Sequence, residues 1–151
     1  MIITVTLNPS VDRTVDLPGP LARGRVQRAS DTRQDPGGKG VNISRALAAS
    51  GVETVAVVPG DGTDPLFTAL DAAGVRYDSV SIGAPVRSNI TVTEPDGTTT
   101  KINEPGPPLD EHTVDRIVER IVSRGAGAQW LVFAGSVPPG PAPDVYAVLA
   151  A

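Results

Sequence analysis

An α/β fold built on a mostly parallel sheet is predicted by two observations. Short aliphatic strands alternate with helical stretches along the 151 residues, and the 16 glycines and 15 prolines fall mainly between those segments. That rhythm is the one a parallel sheet covered by helices on both faces requires. A chain of this length buries one substantial core, so a single domain is expected. Only 3% of residues are aromatic, so the core must be mainly aliphatic.

Residues 2–7 are β-branched and stop at Asn8-Pro9, which marks a first strand. Residues 41–50 read as a helix closed by Gly51, and residues 54–58 as a second buried strand ended by Pro59-Gly60. A short helix over 65–73, closed by Gly74, leads to a strand over 77–82. The clearest helix covers 110–124: Asp110 can cap it, and Val114, Ile117, Val118, Ile121 and Val122 form its apolar stripe. Residues 130–134 read as another buried strand, and a further helix starts at Asp144. Four half-polar segments break the rhythm, at 11–17, 25–30, 88–94 and 98–103, the last two flanking the turn Pro95-Asp96-Gly97. They predict a small separate sheet of the kind that covers a site. The last parallel strand lacks a neighbour on one side, an apolar open edge that reads as an incomplete fold.

Composition excludes several functions. Thirteen basic residues against seventeen acidic give a net charge of −4 with no basic tract, which argues against nucleic acid. The absence of cysteine and a single histidine, His112, rule out disulfides and thiolate or multi-histidine metal sites. No apolar run approaches a membrane span and no signal-peptide core follows Met1, so a cytoplasmic location is expected.

The stretch Asp35-Pro36-Gly37-Gly38-Lys39-Gly40-Val41-Asn42 carries the strongest site signal. Glycines admit a ligand close to the backbone, and the helix that follows presents unpaired N–H donors and a positive dipole end. Lys39 adds a mobile cation, and the whole suits an anionic or hydroxyl-rich small molecule. It is not a Walker A loop, because Gly40 stands where Ser or Thr is needed. Ser136 lacks the Gly-x-Ser-x-Gly elbow of a hydrolase nucleophile. Asp61, Asp64, Asp71 and Asp78 are spread over separate elements and are expected to face solvent, as is His112. Glu104 closes a strand, either as a plain terminus or as part of a site.

Five motifs in register carry a resemblance. They are Thr6-Leu7-Asn8-Pro9-Ser10-Val11-Asp12, Gly37-Gly38-Lys39-Gly40-Val41-Asn42, Arg87-Ser88-Asn89, Lys101-Ile102-Asn103-Glu104-Pro105-Gly106 and Gly135-Ser136-Val137-Pro138-Pro139-Gly140. Together the chain resembles the first half of a phosphofructokinase B type sugar kinase of the ribokinase superfamily. The resemblance implies a ribokinase-like three-layer α/β/α fold with a mostly parallel sheet and a small β-sheet lid, cut after about half the family fold. It implies ATP-dependent phosphorylation of a sugar phosphate, with fructose 1-phosphate expected and tagatose 6-phosphate or fructose 6-phosphate as alternatives. Asp12, the Gly37-Gly38 backbone and Asn42 would hold sugar hydroxyls. Arg87, Asn89, Ser136 and Lys39 would meet the phosphate already on the sugar. Arg25 would be a lid residue reaching a substrate across a homodimer formed through the lid. The resemblance places the catalytic aspartate, the ATP pocket and the Mg²⁺ ligands in the other half, so the chain alone is expected to bind the acceptor, with no catalytic or metal-ligating residue of its own. A non-catalytic sugar-phosphate binding module and one half of a split kinase remain open readings.

Overall fold

The computed structural model describes residues 1–150. Two four-stranded sheets are present. The body sheet consists of β1 (Ile2–Val5), β4 (Thr54–Pro59), β5 (Tyr77–Val80) and β8 (Trp130–Phe133), in the order β5-β4-β1-β8. All of its pairings are parallel. The lid sheet consists of β2 (Ser10–Asp16), β3 (Asp31–Gly37), β6 (Arg87–Thr93) and β7 (Thr99–Asn103), in the order β3-β2-β6-β7. Its two outer pairings are antiparallel and its central one, β2 with β6, is parallel.

Helices cover both faces of the body. Along β4 successive side chains point to opposite sides. Val57 joins Ile3, Val5, Ile117, Ile121 and Val145, against α3 (Glu111–Gly125) and α4 (Val145–Ala150). Ala56 and Val58 join Val41, Leu66, Phe67 and Leu70, against α1 (Lys39–Ala49) and α2 (Pro65–Ala72). This is the three-layer α/β/α arrangement with a lid. The lid is anchored in the second cluster by Val11 and Val86, both buried. Gly51 and Gly74, at φ 72° and 65°, close α1 and α2 in the left-handed conformation open to glycine. Asp110 caps α3 by accepting the Thr113 N–H at 2.7 Å.

Several expectations are corrected. The second lid strand lies at 31–37, not 25–30, and residues 25–30 are irregular, with Val26 94% exposed. Asp31–Gly37 is polar and ends in Pro-Gly, which reads as loop, yet it pairs along the whole length of β2. Pro36 is tolerated because β3 is an edge strand. Strand β8 is not buried: it stands at the sheet edge, with Trp130 67% exposed and Leu131 half-exposed. Val122 falls outside the apolar face of α3 and is also exposed. Asp64 is buried rather than solvent-facing, because its carboxylate accepts the Val86 N–H where the chain enters the lid. Asp78 is largely covered too, paired with Arg124 at 2.8 Å and Arg120 at 3.8 Å.

Candidate functional site

The chain leaves β1 for β4 on one side and later places β8 on the other. In open α/β sheets the crevice beyond the strand ends at such a reversal is where ligands bind. Here β1 runs out into Leu7-Asn8-Pro9, and β8 into Gly135-Ser136. The lid strands β2 and β6 start beside that crevice.

In the β2–β6 register Ser10 faces Arg87 and Asp12 faces Asn89, so these four side chains share one face of the lid. Asn89 Nδ2 donates to Asp12 Oδ1 at 3.0 Å and to Ser10 Oγ at 3.1 Å, and Ser10 Oγ donates to the same carboxylate oxygen at 2.7 Å. Asp12 thus has one oxygen engaged by two donors while the other accepts from neither. The carboxylate lies over Gly37 of β3, where a methyl group would land on it. Only glycine leaves that space.

Arg87 reaches from the lid to the body. Its Nη2 donates to the Asn8 carbonyl at 3.2 Å and to Ser136 Oγ at 3.3 Å, and its Nη1 to the Glu104 carbonyl at 3.1 Å. Its Nε is buried and has no partner, and the same holds for Asn89 Oδ1. Asn8, Arg87, Pro105 and Ser136 line an open groove of about 530 Å³ together with residues of the proline-rich loop 137–143. A hollow of similar size between β5 and α3 shares no residue with this groove.

The start of α1 forms the third part. Gly38 holds φ 116° at the N-cap, without a side-chain cap, and Lys39 opens the helix with its side chain exposed. Asn42 is exposed in the first turn, and its Oδ1 accepts from Arg45 at 3.4 Å. Arg45 also pairs with Asp35 at 3.4 Å, the residue opposite Asp12 in the β2–β3 register. Asn42 is thus linked through Arg45 to Asp35 of β3, and Gly38 and Lys39 follow directly on that strand. Arg25 is exposed in the irregular segment before β3, its N–H donating to the Ala22 carbonyl.

Four residues outside the expected set tie these parts together or fix their geometry. Asn8 is buried and its Nδ2 donates to the Pro105 carbonyl at 2.9 Å and to Ser136 Oγ at 3.2 Å, while Gly106 closes against its amide oxygen. Ser10 bridges Asp12 and Asn89. Glu104 accepts the Ser88 N–H at 2.8 Å and fixes where β6 meets the lid exit. Tyr146 accepts the Leu7 N–H at 3.2 Å, and burial pushes its phenol above the ordinary value. Asn8 sits in a strand-ending Leu-Asn-Pro, a signal that marks a turn but not its partners roughly 100 residues away.

The sequence and the fold resemble those of known proteins. The pfkB family carbohydrate kinase pattern matches residues 5–151. The chain is 36% identical over 142 residues to 1-phosphofructokinase of Haloferax volcanii, covering 93% of this chain and 46% of that one. A possible 1-phosphofructokinase of Thermotoga maritima superposes with TM-score 0.89 at 31% identity, covering 99% of this chain and 49% of that one. Phosphofructokinase-2 of Escherichia coli, solved in complex with fructose-6-phosphate, gives TM-score 0.88 at 27% identity, covering 99% of this chain and 50% of that one. The chain spans about half the length of the curated relatives it matches. With strand order, lid and sequence pattern all in agreement, it belongs to the pfkB family of carbohydrate kinases.

Proposed function

We propose that residues 1–151 are the acceptor-binding half of a pfkB-type kinase domain that takes a sugar phosphate, with fructose 1-phosphate as the acceptor. One observation carries the reading. The lid face holds a buried donor without a partner, Arg87 Nε, and a buried acceptor without a partner, Asn89 Oδ1, two residues apart and beside the Asp12 carboxylate. Unmet polar atoms of this kind require an explanation, and a ligand that completes their hydrogen bonds is the one this reading adopts. A phosphorylated sugar supplies both complements: phosphate oxygens accept from the guanidinium, and hydroxyls donate to an amide oxygen and a carboxylate. Asp12, Asn42 and the Gly37-Gly38 backbone take the hydroxyl side in this reading. Arg87, Ser136 and Lys39 take the phosphate side, and Asn89 offers its free Oδ1 to a hydroxyl beside it.

The relatives' names favour a phosphofructokinase acceptor, and the likeness to an enzyme solved with fructose-6-phosphate makes fructose 6-phosphate the second candidate. ATP and Mg²⁺ belong to the complete family enzyme. Among the described residues no three Asp, Glu, His or Cys side chains gather as a metal site. A homodimer through the lid, with Arg25 at its margin, and a cytoplasmic setting complete the proposal. No helix of the described residues is long and apolar enough to cross a membrane.

Calorimetric titration of the purified chain with fructose 1-phosphate, fructose 6-phosphate and fructose tests this. Fructose 1-phosphate should bind about tenfold or more tighter than fructose, the difference a charge-assisted arginine–phosphate contact supplies. The chain alone should transfer no phosphate from ATP. Equal binding of fructose and its phosphates, or robust turnover by the chain alone, overturns the proposal.

A further inference from the structure

We propose that Thr6 is a positioning residue for the acceptor site, acting through the start of α1 and the loop after β8. The inference rests on the reading above of where the sugar phosphate binds. Helix α1 begins at a glycine with no capping side chain, so its first N–H groups need partners from elsewhere. One comes from the neighbouring strand: the Val41 N–H donates to Thr6 Oγ1 at 3.1 Å, buried, across 35 residues of sequence. Thr6 follows directly on β1, is wholly buried, and its own N–H donates to the Val57 carbonyl at 3.1 Å. The cap is therefore mounted on a fully buried position at the end of a central strand.

The two branches of the side chain do different work. A methyl on Gly40 would run into Oγ1, so the hydroxyl sets how closely α1 approaches β1. The Thr6 methyl lies 2.8 Å from where a Cβ on Gly38 would sit and 3.7 Å from where one on Gly135 would sit. The Gly135 Cβ position is itself 3.8 Å from the Lys39 nitrogen. Two loops that supply site residues, Gly38-Lys39 and Gly135-Ser136, thus close on one threonine. Serine would keep the cap without the methyl, and valine would keep the shape without the acceptor. Threonine provides both, and the capping hydroxyl is the branch on which the placement of α1 depends.

Losing the hydroxyl leaves the Val41 N–H buried without a partner, which displaces or frays the first turn. Gly38 and Asn42 then lose their placement, while Asp12 and Arg87, held by the lid, do not. Three forms of the full chain test this: wild type, Thr6→Val and Thr6→Ser. Amide hydrogen exchange at Val41 and calorimetric affinity for fructose 1-phosphate are read on each. Thr6→Val should expose Val41 to exchange at least tenfold faster and weaken binding about fivefold to tenfold. Thr6→Ser should restore both to within about twofold, as expected when the hydroxyl itself is what acts. If wild type binds fructose 1-phosphate and Thr6→Val binds it equally well, the positioning role is refuted. If wild type binds no sugar phosphate, the reading of the site fails, and Val41 exchange still decides whether Thr6 caps α1. Should Thr6→Val not fold, a folded Thr6→Ser chain with unprotected Val41 refutes the cap, and one with protected Val41 and near-normal affinity supports it.

Discussion

The body sheet and the lid sheet contain the same number of strands but are held together differently. Strand β4 is buried at every position, and β1 at all but its first. No residue of β6 or β7 is fully buried. The body is stabilised by aliphatic burial on two faces, whereas the lid depends on backbone ladders and cross-strand pairs over a thin anchor, Val11 and Val86. Polar side chains can sit on the lid without a large desolvation cost, and one residue along from those anchors the chain places Asp12 and Arg87. The proposed site lies at the seam between the two sheets.

The sharpest way to break that contrast is to empty the anchor. Phe67 is 2% exposed, tilts against Tyr77 with ring centroids 4.8 Å apart, and shares a cluster with Val11 and Val86. Phe67→Ala should cost about 3–5 kcal/mol in urea unfolding. A loss under about 1 kcal/mol would mean the lid base is not tied to this core.

Next in size is the seam itself. Arg87→Ala should weaken fructose 1-phosphate binding about tenfold to a hundredfold in calorimetry and fructose binding much less, because the phosphate contact is lost for one ligand and the ties to Asn8, Ser136 and Glu104 for both. Equal losses for both ligands would turn Arg87 into a lid brace rather than a phosphate contact.

A smaller effect belongs to the body's surface. Thr113 donates to the Asp110 carboxylate and holds its pKa below the ordinary value. A depressed carboxyl pKa contributes stability above the unfolded-state value and loses it as pH falls through the folded one. Asp110→Ala should therefore lower the melting temperature at neutral pH, and the gap to wild type should close as pH drops below the usual carboxylate range. A gap independent of pH would assign the loss to the helix itself. The smallest effect is expected at the lid rim. Ile102 is 58% exposed on β7, and Ile102→Thr should change stability by no more than about 0.5 kcal/mol by urea titration.

The same contrast explains what could be read in the sequence. Body strands and helices were legible because burial imposes a pattern: the aliphatic run Val55 to Val58 of β4 and the Ile117–Ile121 face of α3 announce themselves. Strand β3 was not, since a polar edge strand is specified by the ladder its partner offers, and Asp31 to Gly37 carries no apolar signal. The exposure of Trp130 was missed for a related reason, as an aliphatic run does not say whether its strand is central or at the rim. In the proposed site, Gly37 was signalled by the glycine loop, and Asp12, Arg87 and Ser136 by the family resemblance. The roles of Asn8 and Ser10 were not. Their hydrogen bonds to Ser136 and Asn89 span 128 and 79 residues, distances over which local chemistry carries no information.

Trp130 is the chain's single tryptophan, and it stands largely in water on the open rim of β8. Its indole is therefore an internal fluorophore reporting on one place only. Whatever strand or helix comes to rest along that rim will exclude water from the ring and move its emission toward the blue, while sugar phosphates entering the groove between lid and body should leave the spectrum largely untouched.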